Sequence, residues 1–361
     1  MICKGNNTIY NRLMTVKYTP YYLLLFILAF GHSKAQDIHF SQLTETPMYL
    51  SPANTGFFNG YFRATANYRN QWSAMNNAYQ TYGVSVDGGL FRSKKSNAFL
   101  GLGLTIFRDQ AGAGKLTTTS ALLNASGIIK ISRKSVLSMG MAFGSIGTNA
   151  DYSKITYESQ FNGNTFDPAT VSGEIPYRQF TTLDLGFGAA YEITNAKYDQ
   201  DRNDQRSIKF GLGAYHINRP TQEFGAGSKY KLPVRMCYSI LTSLDIVDTR
   251  FTLTPMFVFQ TQGENQNMVI GSDIKYRMVT GTKVTGKKKQ NSLGVGFFYR
   301  RNDAIVARLI ADIGDFSVGL SNDFNVSGFR TSTNVSGGGF EVSLRYNMLA
   351  SSLFESKREF R

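Results

Sequence analysis

A chain of 361 residues with 39 Lys and Arg against 25 Asp and Glu carries a formal net charge of +14, yet only 18% of its residues are charged, below the roughly 25% of ordinary soluble domains. An apolar fraction of 42% excludes disorder, and 2 Cys and 3 His exclude a disulfide scaffold and a metal centre of clustered Cys and His. The mean hydropathy of −0.22 leaves the membrane open, because a β-barrel averages lipid-facing with lumen-facing residues.

At the start, Lys4, Arg12 and Lys17 precede the apolar run Tyr21–Phe30, and Ser33-Lys34-Ala35 follows with small residues at −3 and −1. This predicts a secretory signal peptide over 1–35, cleaved before Gln36. The run is about half the ~20 residues of a spanning helix, which disfavours a membrane anchor. Met14 is an alternative start. Residues 36–59 hold Pro47 and Pro52, which deny a regular strand or long helix. They are too apolar for a free tail. A plug in a barrel lumen, or a segment at its periplasmic mouth, is expected; a flexible leader is the other reading.

From residue 60 the dominant signal is a period of two. Leu100, Leu102, Leu104 and Ile106 alternate with Gly101, Gly103 and Thr105; Leu293, Val295, Phe297 and Tyr299 alternate with Ser292, Gly294 and Gly296. The pattern predicts strands at 60–68, 79–88, 98–108, 116–130, 135–147, 180–191, 207–217, 231–246, 251–261, 267–279, 291–300, 304–313, 315–322 and 338–347. A water-soluble sandwich and a membrane barrel share this alternation. Strand lengths of about 9 to 14 residues, against roughly 5–6 in ordinary sheets, favour the barrel. So do recurrent aromatics at strand ends (Tyr68, Tyr79, Phe91, Phe107, Tyr191, Tyr215, Tyr230, Tyr276, Tyr299, Tyr346), which suit an interfacial girdle. The expected fold is all-β: a transmembrane antiparallel β-barrel of 14 strands over 60–347, with a tail over 348–361. Pro255 implies a bulge or a count wrong by two strands. With both termini periplasmic, the long connections 148–179, 218–230 and 323–337 face outward, as outer loops do.

Chemistry is sparse. The Gly-x-Gly pairs sit in mid-strand, not at a strand-to-helix turn, so they are read as points of close backbone approach and not as phosphate loops. The mature chain has only His39 and His216, and His216 is assigned to the interfacial belt; no nucleophile–base pair is evident, and an outer-membrane hydrolase has the weakest support. Alternation points Asp184, Lys209, Asp273, Lys275, Arg277, Arg308, Asp312, Glu341 and Arg345 into the lumen. Ladder pairs across the wall are the plainer account of these charges; a selectivity or docking surface is the sharper one. Basic clusters at Arg92, Lys94 and Lys95, at Arg133 and Lys134, and at Lys283, Lys287, Lys288 and Lys289 fall on the inner side, facing headgroups or a periplasmic partner. No cofactor, metal or nucleic acid is expected.

His39-Phe40-Ser41-Gln42, Pro47, Tyr49-Leu50-Ser51-Pro52-Ala53 and Gly56, then Tyr68-Arg69-Asn70-Gln71-Trp72, resemble the opening of PorP/SprF-family proteins. Gly296–Arg300, Asp303-Ala304, Val318–Ser321 and Gly338–Val342 agree in order and spacing, while residues 148–179 and the C-terminal tail lie outside the resemblance. The resemblance implies a non-enzymatic outer-membrane barrel of the type IX secretion system in Bacteroidota. Its implied partners are a large secreted client with a type B C-terminal domain, such as a gliding adhesin, and in some members a periplasmic peptidoglycan-binding protein. The role implied is export of that client or its anchoring at the cell surface. Tyr68–Trp72, read as a turn, carries an aromatic and an Arg suited to a partner hot spot. The alternative function is an anion-favouring channel or small-solute transporter, since a lumen of this size holds water unless filled.

Overall fold

The computed structural model describes residues 38–71, 79–91, 97–112, 114–150, 156–167, 169–171, 173, 179–195, 206–223, 229–278, 291–326 and 337–348. The predicted signal peptide, Trp72, the basic clusters at 92–95 and 283–289, and the tail from 349 lie outside them.

The strands run β1 (Phe62–Gln71), β2 (Tyr79–Leu90), β3 (Ala98–Ala111), β4 (Leu116–Ser132), β5 (Ser135–Asn149), β6 (Phe180–Thr194) and β7 (Arg206–Tyr215). A small hairpin, β8 (Thr221–Glu223) and β9 (Lys229–Lys231), interrupts them. Then come β10 (Arg235–Asp245), β11 (Phe251–Gln262), β12 (Asn265–Arg277), β13 (Ser292–Arg300), β14 (Ala304–Ile313), β15 (Phe316–Asn325) and β16 (Gly337–Met348). All but the hairpin form one closed barrel of 14 strands, each paired antiparallel with its chain neighbour and sealed by β1 against β16. Closure leaves no unpaired edge, the condition for strands to cross a bilayer.

The aliphatic face decides between sandwich and membrane barrel. Leu100, Leu102, Leu104 and Ile106 of β3 are exposed, while Gly101, Gly103, Thr105 and Phe107 are buried. A soluble sandwich buries its aliphatic side; this sheet turns it outward on every barrel strand with such alternation and buries Asn, Asp, Glu and Arg inside.

Several elements differ from expectation. Strand β1 extends to Gln71, so Tyr68–Gln71 is strand and not turn; the lumen alternation Arg63, Thr65, Asn67, Arg69 continues on polar residues after the apolar pattern fades. The expected strand 231–246 begins at Arg235, because Pro233 ends the β9 ladder. The expected loop 218–230 contains β8 and β9. Pro255 changes neither the count nor the β11–β12 register, where it faces Ser272; pairing with β10 lapses between Leu241/Met256 and Leu244/Leu253, at the residue that has no N–H.

Two of the expected girdle aromatics point inward. Phe107 shares the parity of Gly103 and Thr105, and Tyr215 that of Gly211 and Gly213, so both are buried. Tyr230 belongs to the hairpin. Tyr68, Tyr191, Tyr276, Tyr299 and Tyr346 do face outward.

The strand ends Gln71, Ala111, Asn149, Tyr215, Gln262, Arg300 and Asn325 gather at one pole by the up-and-down topology. We call it the loop pole; β1 begins and β16 ends at the other.

Candidate functional site

The lumen is occupied by residues 38–57. The chain descends through three short helical turns: Leu43–Glu45, α1 (Pro47–Leu50) and Pro52–Asn54. Pro47 and Pro52 each stand at the opening of a turn, where a missing N–H costs nothing. From Ile38 to Phe57 almost every residue is buried.

The wall is shaped to this backbone. Ser138 and Ser126 donate their hydroxyls to the carbonyls of Ala53 and Thr55 at 2.7 and 2.6 Å. Ser51 donates to the Leu212 carbonyl at 2.8 Å. Between these anchors the wall is glycine: a Cβ at Gly213 would collide with the Leu50 carbonyl, and one at Gly101 with that of Thr55. Phe40, Tyr49 and Phe107 pack with ring centroids 5.6 to 5.7 Å apart. The Arg235 guanidinium lies 3.9 Å over the Tyr49 ring and 4.6 Å over that of Tyr215. Tyr215 also donates its hydroxyl to the Met48 carbonyl.

Charge holds the plug at three heights. Nearest the loop pole, Glu341 accepts from the backbone N–H groups of Ser41 and Gln42 at 2.6 and 3.1 Å. The Ser41 hydroxyl meets Asp323 at 2.8 Å, and Arg69 and Arg300 both close on Asp323 at 2.8 Å. Midway, Glu45 reaches Arg308 at 2.6 Å and Arg345 at 2.8 Å; Arg308 also touches Asp273 at 3.2 Å, and Lys275 pairs with Asp312 at 3.0 Å. Lowest, Arg63 pairs with Asp87 at 2.7 Å and donates to the Asn54 carbonyl at 3.0 Å. There the N–H of Gly56 donates to Asp87 at 2.7 Å, and Lys209 donates to the Phe57 carbonyl at 3.0 Å. Cations and carboxylates balance in the upper and middle groups, as buried charges require. Burial alone would raise the Glu45 carboxyl, but Arg345, Arg308 and Lys275 outweigh it and hold Glu45 below its ordinary value.

The expected lumen charges all occupy inward positions and are drawn into ion pairs. Lys275, Arg308, Asp273, Asp312 and Arg345 meet around Glu45; Glu341 belongs to the upper group; Lys209 also pairs with Glu192 at 3.4 Å, and Arg277 with Asp245 at 2.9 Å. Asp184 stands apart, paired with His216 at 2.9 Å. His216 is thus buried beside the lumen and not in the interfacial belt.

Of the proposed hot spot, Tyr68 faces outward with its ring 5.1 Å from that of Tyr82, and Asn70 is half-buried. Arg69 is 2% exposed and committed to Asp323, Glu341, Ser41 and Gln71, so it is not offered to an external partner. Of the opening motif, Phe40, Ser41, Gln42, Pro47, Tyr49 and Pro52 lie buried in the plug, with His39 half-buried.

The anchors Glu45, Arg63, Asp87, Arg300 and Asp323 escaped sequence reasoning. Extending two alternations would have found two of them: one step leads from Ser317, Gly319 and Ser321 to Asp323, and two steps lead from Gly294 and Gly296 through Phe298 to Arg300.

A family model for "Type IX secretion system membrane protein PorP/SprF" matches residues 32–346. The chain belongs to the PorP/SprF family. This PorP/SprF protein is an outer-membrane β-barrel of a type IX secretion system. Similar solved structures include the CymD monoaromatic hydrocarbon channel, with a TM-score of 0.42 and 13% identity, covering 91% of this chain and 96% of that one. The Pseudomonas putida toluene transporter TodX follows at 0.42 and 8%, covering 87% and 95%. A Pseudomonas aeruginosa FadL homologue stands at 0.39 and 10%, covering 82% and 93%. No curated protein matches the chain.

Proposed function

We propose that this PorP/SprF barrel is a non-enzymatic partner for a large secreted client with a type B C-terminal domain, adhesin-like in size, which it helps to export or anchors at the cell surface. The signal peptide delivers the chain to the periplasm and is removed, and the loop pole faces outward. The turns at the other pole face periplasmic partners, including a peptidoglycan-binding protein.

The observation that carries this reading is the filled lumen. A solute channel needs an open path lined by available charge. Here the plug is buttoned to the wall at three heights, and Lys209, Lys275, Arg277 and Arg308 are each engaged with a carboxylate. What remains for a macromolecule is the loop pole. There Phe161 and Phe166 pair with ring centroids 5.1 Å apart, tilted by 48°, and are 48% and 51% exposed, and Val171 of the same connection is 86% exposed. Exposed apolar groups of this kind mark protein contacts.

Affinity capture of the tagged barrel from outer membrane in mild detergent, read by mass spectrometry, tests the proposal. The expected result is one large secreted protein in near-stoichiometric amount, reduced about tenfold in a Phe161→Ser, Phe166→Ser double variant. Recovery of the barrel alone, from a preparation whose other complexes survive, would overturn it.

A further inference from the structure

The outward wall of the barrel is not evenly convex. Strands β11 to β15 carry a concavity of about 540 Å³ on the lipid face, within the range of small-molecule sites. One row of facing residues crosses it: Phe251, Tyr276, Leu293, Ala311 and Val318, each the register partner of the next. Four of the five are bulky; Ala311 is the low point that makes the furrow. Four inter-strand gaps span about 19 Å. With strands tilted by roughly 45° the row rises about 13 Å along the membrane normal from Phe251 to Val318, close to the ~15 Å of one leaflet.

The furrow's upper reaches are wholly apolar, whereas its mouth is not. Phe251 and Tyr276 open onto the pole where β1 begins, and the exposed Arg250 sits there with its guanidinium 3.4 Å from the Tyr276 hydroxyl. Among the described residues Arg250 has no carboxylate partner, unlike the cations of the lumen. A guanidinium beside a phenol at the headgroup level, at the foot of an acyl-sized trough, is complementary to a phosphodiester with its chain attached.

We propose that this furrow is a binding site for one glycerophospholipid of the inner leaflet, its acyl chain along the Leu293–Ala311–Val318 row and its phosphate on Arg250 and Tyr276. The leaflet assignment rests on the orientation proposed above. The bound lipid fills a trough that annular lipids, which exchange freely, would leave poorly packed. It gives this side of the barrel a fixed hydrocarbon surface.

Native mass spectrometry of the full barrel released from mild detergent tests this, alongside two single variants. Ala311→Phe fills the trough from the lipid side, and Arg250→Glu reverses the charge at its mouth. Both positions face outward, and retention of the heat-resistant compact band on gel electrophoresis reports the barrel. The expected result is one phospholipid mass retained by the parent protein and lost about tenfold or more in each variant, the scale of one charge-assisted contact. Equal retention in all three proteins, or no retained lipid in the parent, would overturn the site. A retained mass of lipid A would overturn the leaflet and, with it, the proposed orientation, while client capture through the loop pole is read separately.

Discussion

Glu45 is a carboxylate that the plug carries into the barrel, where Arg308 and Arg345 on the wall meet it at 2.6 and 2.8 Å. Glu45 and Arg308 are almost fully buried, so removing one partner leaves a desolvated charge behind. Glu45→Ala is expected to cost about 3–5 kcal/mol, the range for breaking a buried pair, measured by urea unfolding in detergent. Replacing Glu45 and Arg308 together by Met should recover part of that loss, because a carboxylate and a guanidinium leave together and Lys275 and Arg345 still balance Asp273 and Asp312. If the double variant is as unstable as the sum of its parts, the pair is not the anchor. The acid limb follows from the same residue. A carboxylate held below its ordinary value contributes fully above that value, and the contribution is lost as pH falls through the depressed one. Hydrogen-exchange protection of the plug amides around Glu45, over 43–46, should therefore be flat from neutrality to about pH 5 and decline only below about pH 4. Loss of protection already near pH 6 would point to a different group.

The elements show how a wall and its plug were made for each other. Strand β7 brings Gly213 against the Leu50 carbonyl so closely that any side chain must displace one of them. Gly213→Leu is expected to leave the strands paired and to loosen the plug, raising amide exchange over 47–54 about tenfold, an overpacking cost of one to a few kcal/mol. Unchanged exchange would mean that the plug shifts freely. The strands themselves were legible because the lipid face writes a strict period of two in Leu, Ile, Val and Phe. Where the outward residues turn polar or the strand ends in lumen-facing charge, as at Arg69, Gln71 and Asp323, the alternation continues on residues that read as loop. Strands β8 and β9, three residues each in Thr-Gln-Glu and Lys-Tyr-Lys, have no apolar signal at all. The segment 36–59 read as buried from its composition, but its partners did not. Ser41 and Glu341 lie 300 positions apart, and nothing local in either marks the other.

At the scale of the whole molecule the question is whether the barrel is closed because it is narrow or because it is filled. Eight strands pack their interior with side chains, and sixteen to eighteen leave an aqueous channel. Fourteen, with Gly at Gly101, Gly140 and Gly213 where the plug passes, leave room that, among the described residues, the plug occupies. Deleting residues 38–57 while keeping the leader is therefore expected to give a steady conductance in planar bilayers, where the parent barrel passes little current. The sign of selectivity follows from the middle charge group. Its cations Arg308, Arg345 and Lys275 are balanced by Asp273, Asp312 and the plug's own Glu45. Removing the plug removes Glu45 and leaves an excess of positive charge at the waist, so the opened pore should prefer anions, shown by reversal potential in a salt gradient. A pore that stays shut would mean the wall collapses inward without its plug. A pore that prefers cations would mean that the upper carboxylates Asp323 and Glu341, freed from Ser41 and Gln42, govern the field instead.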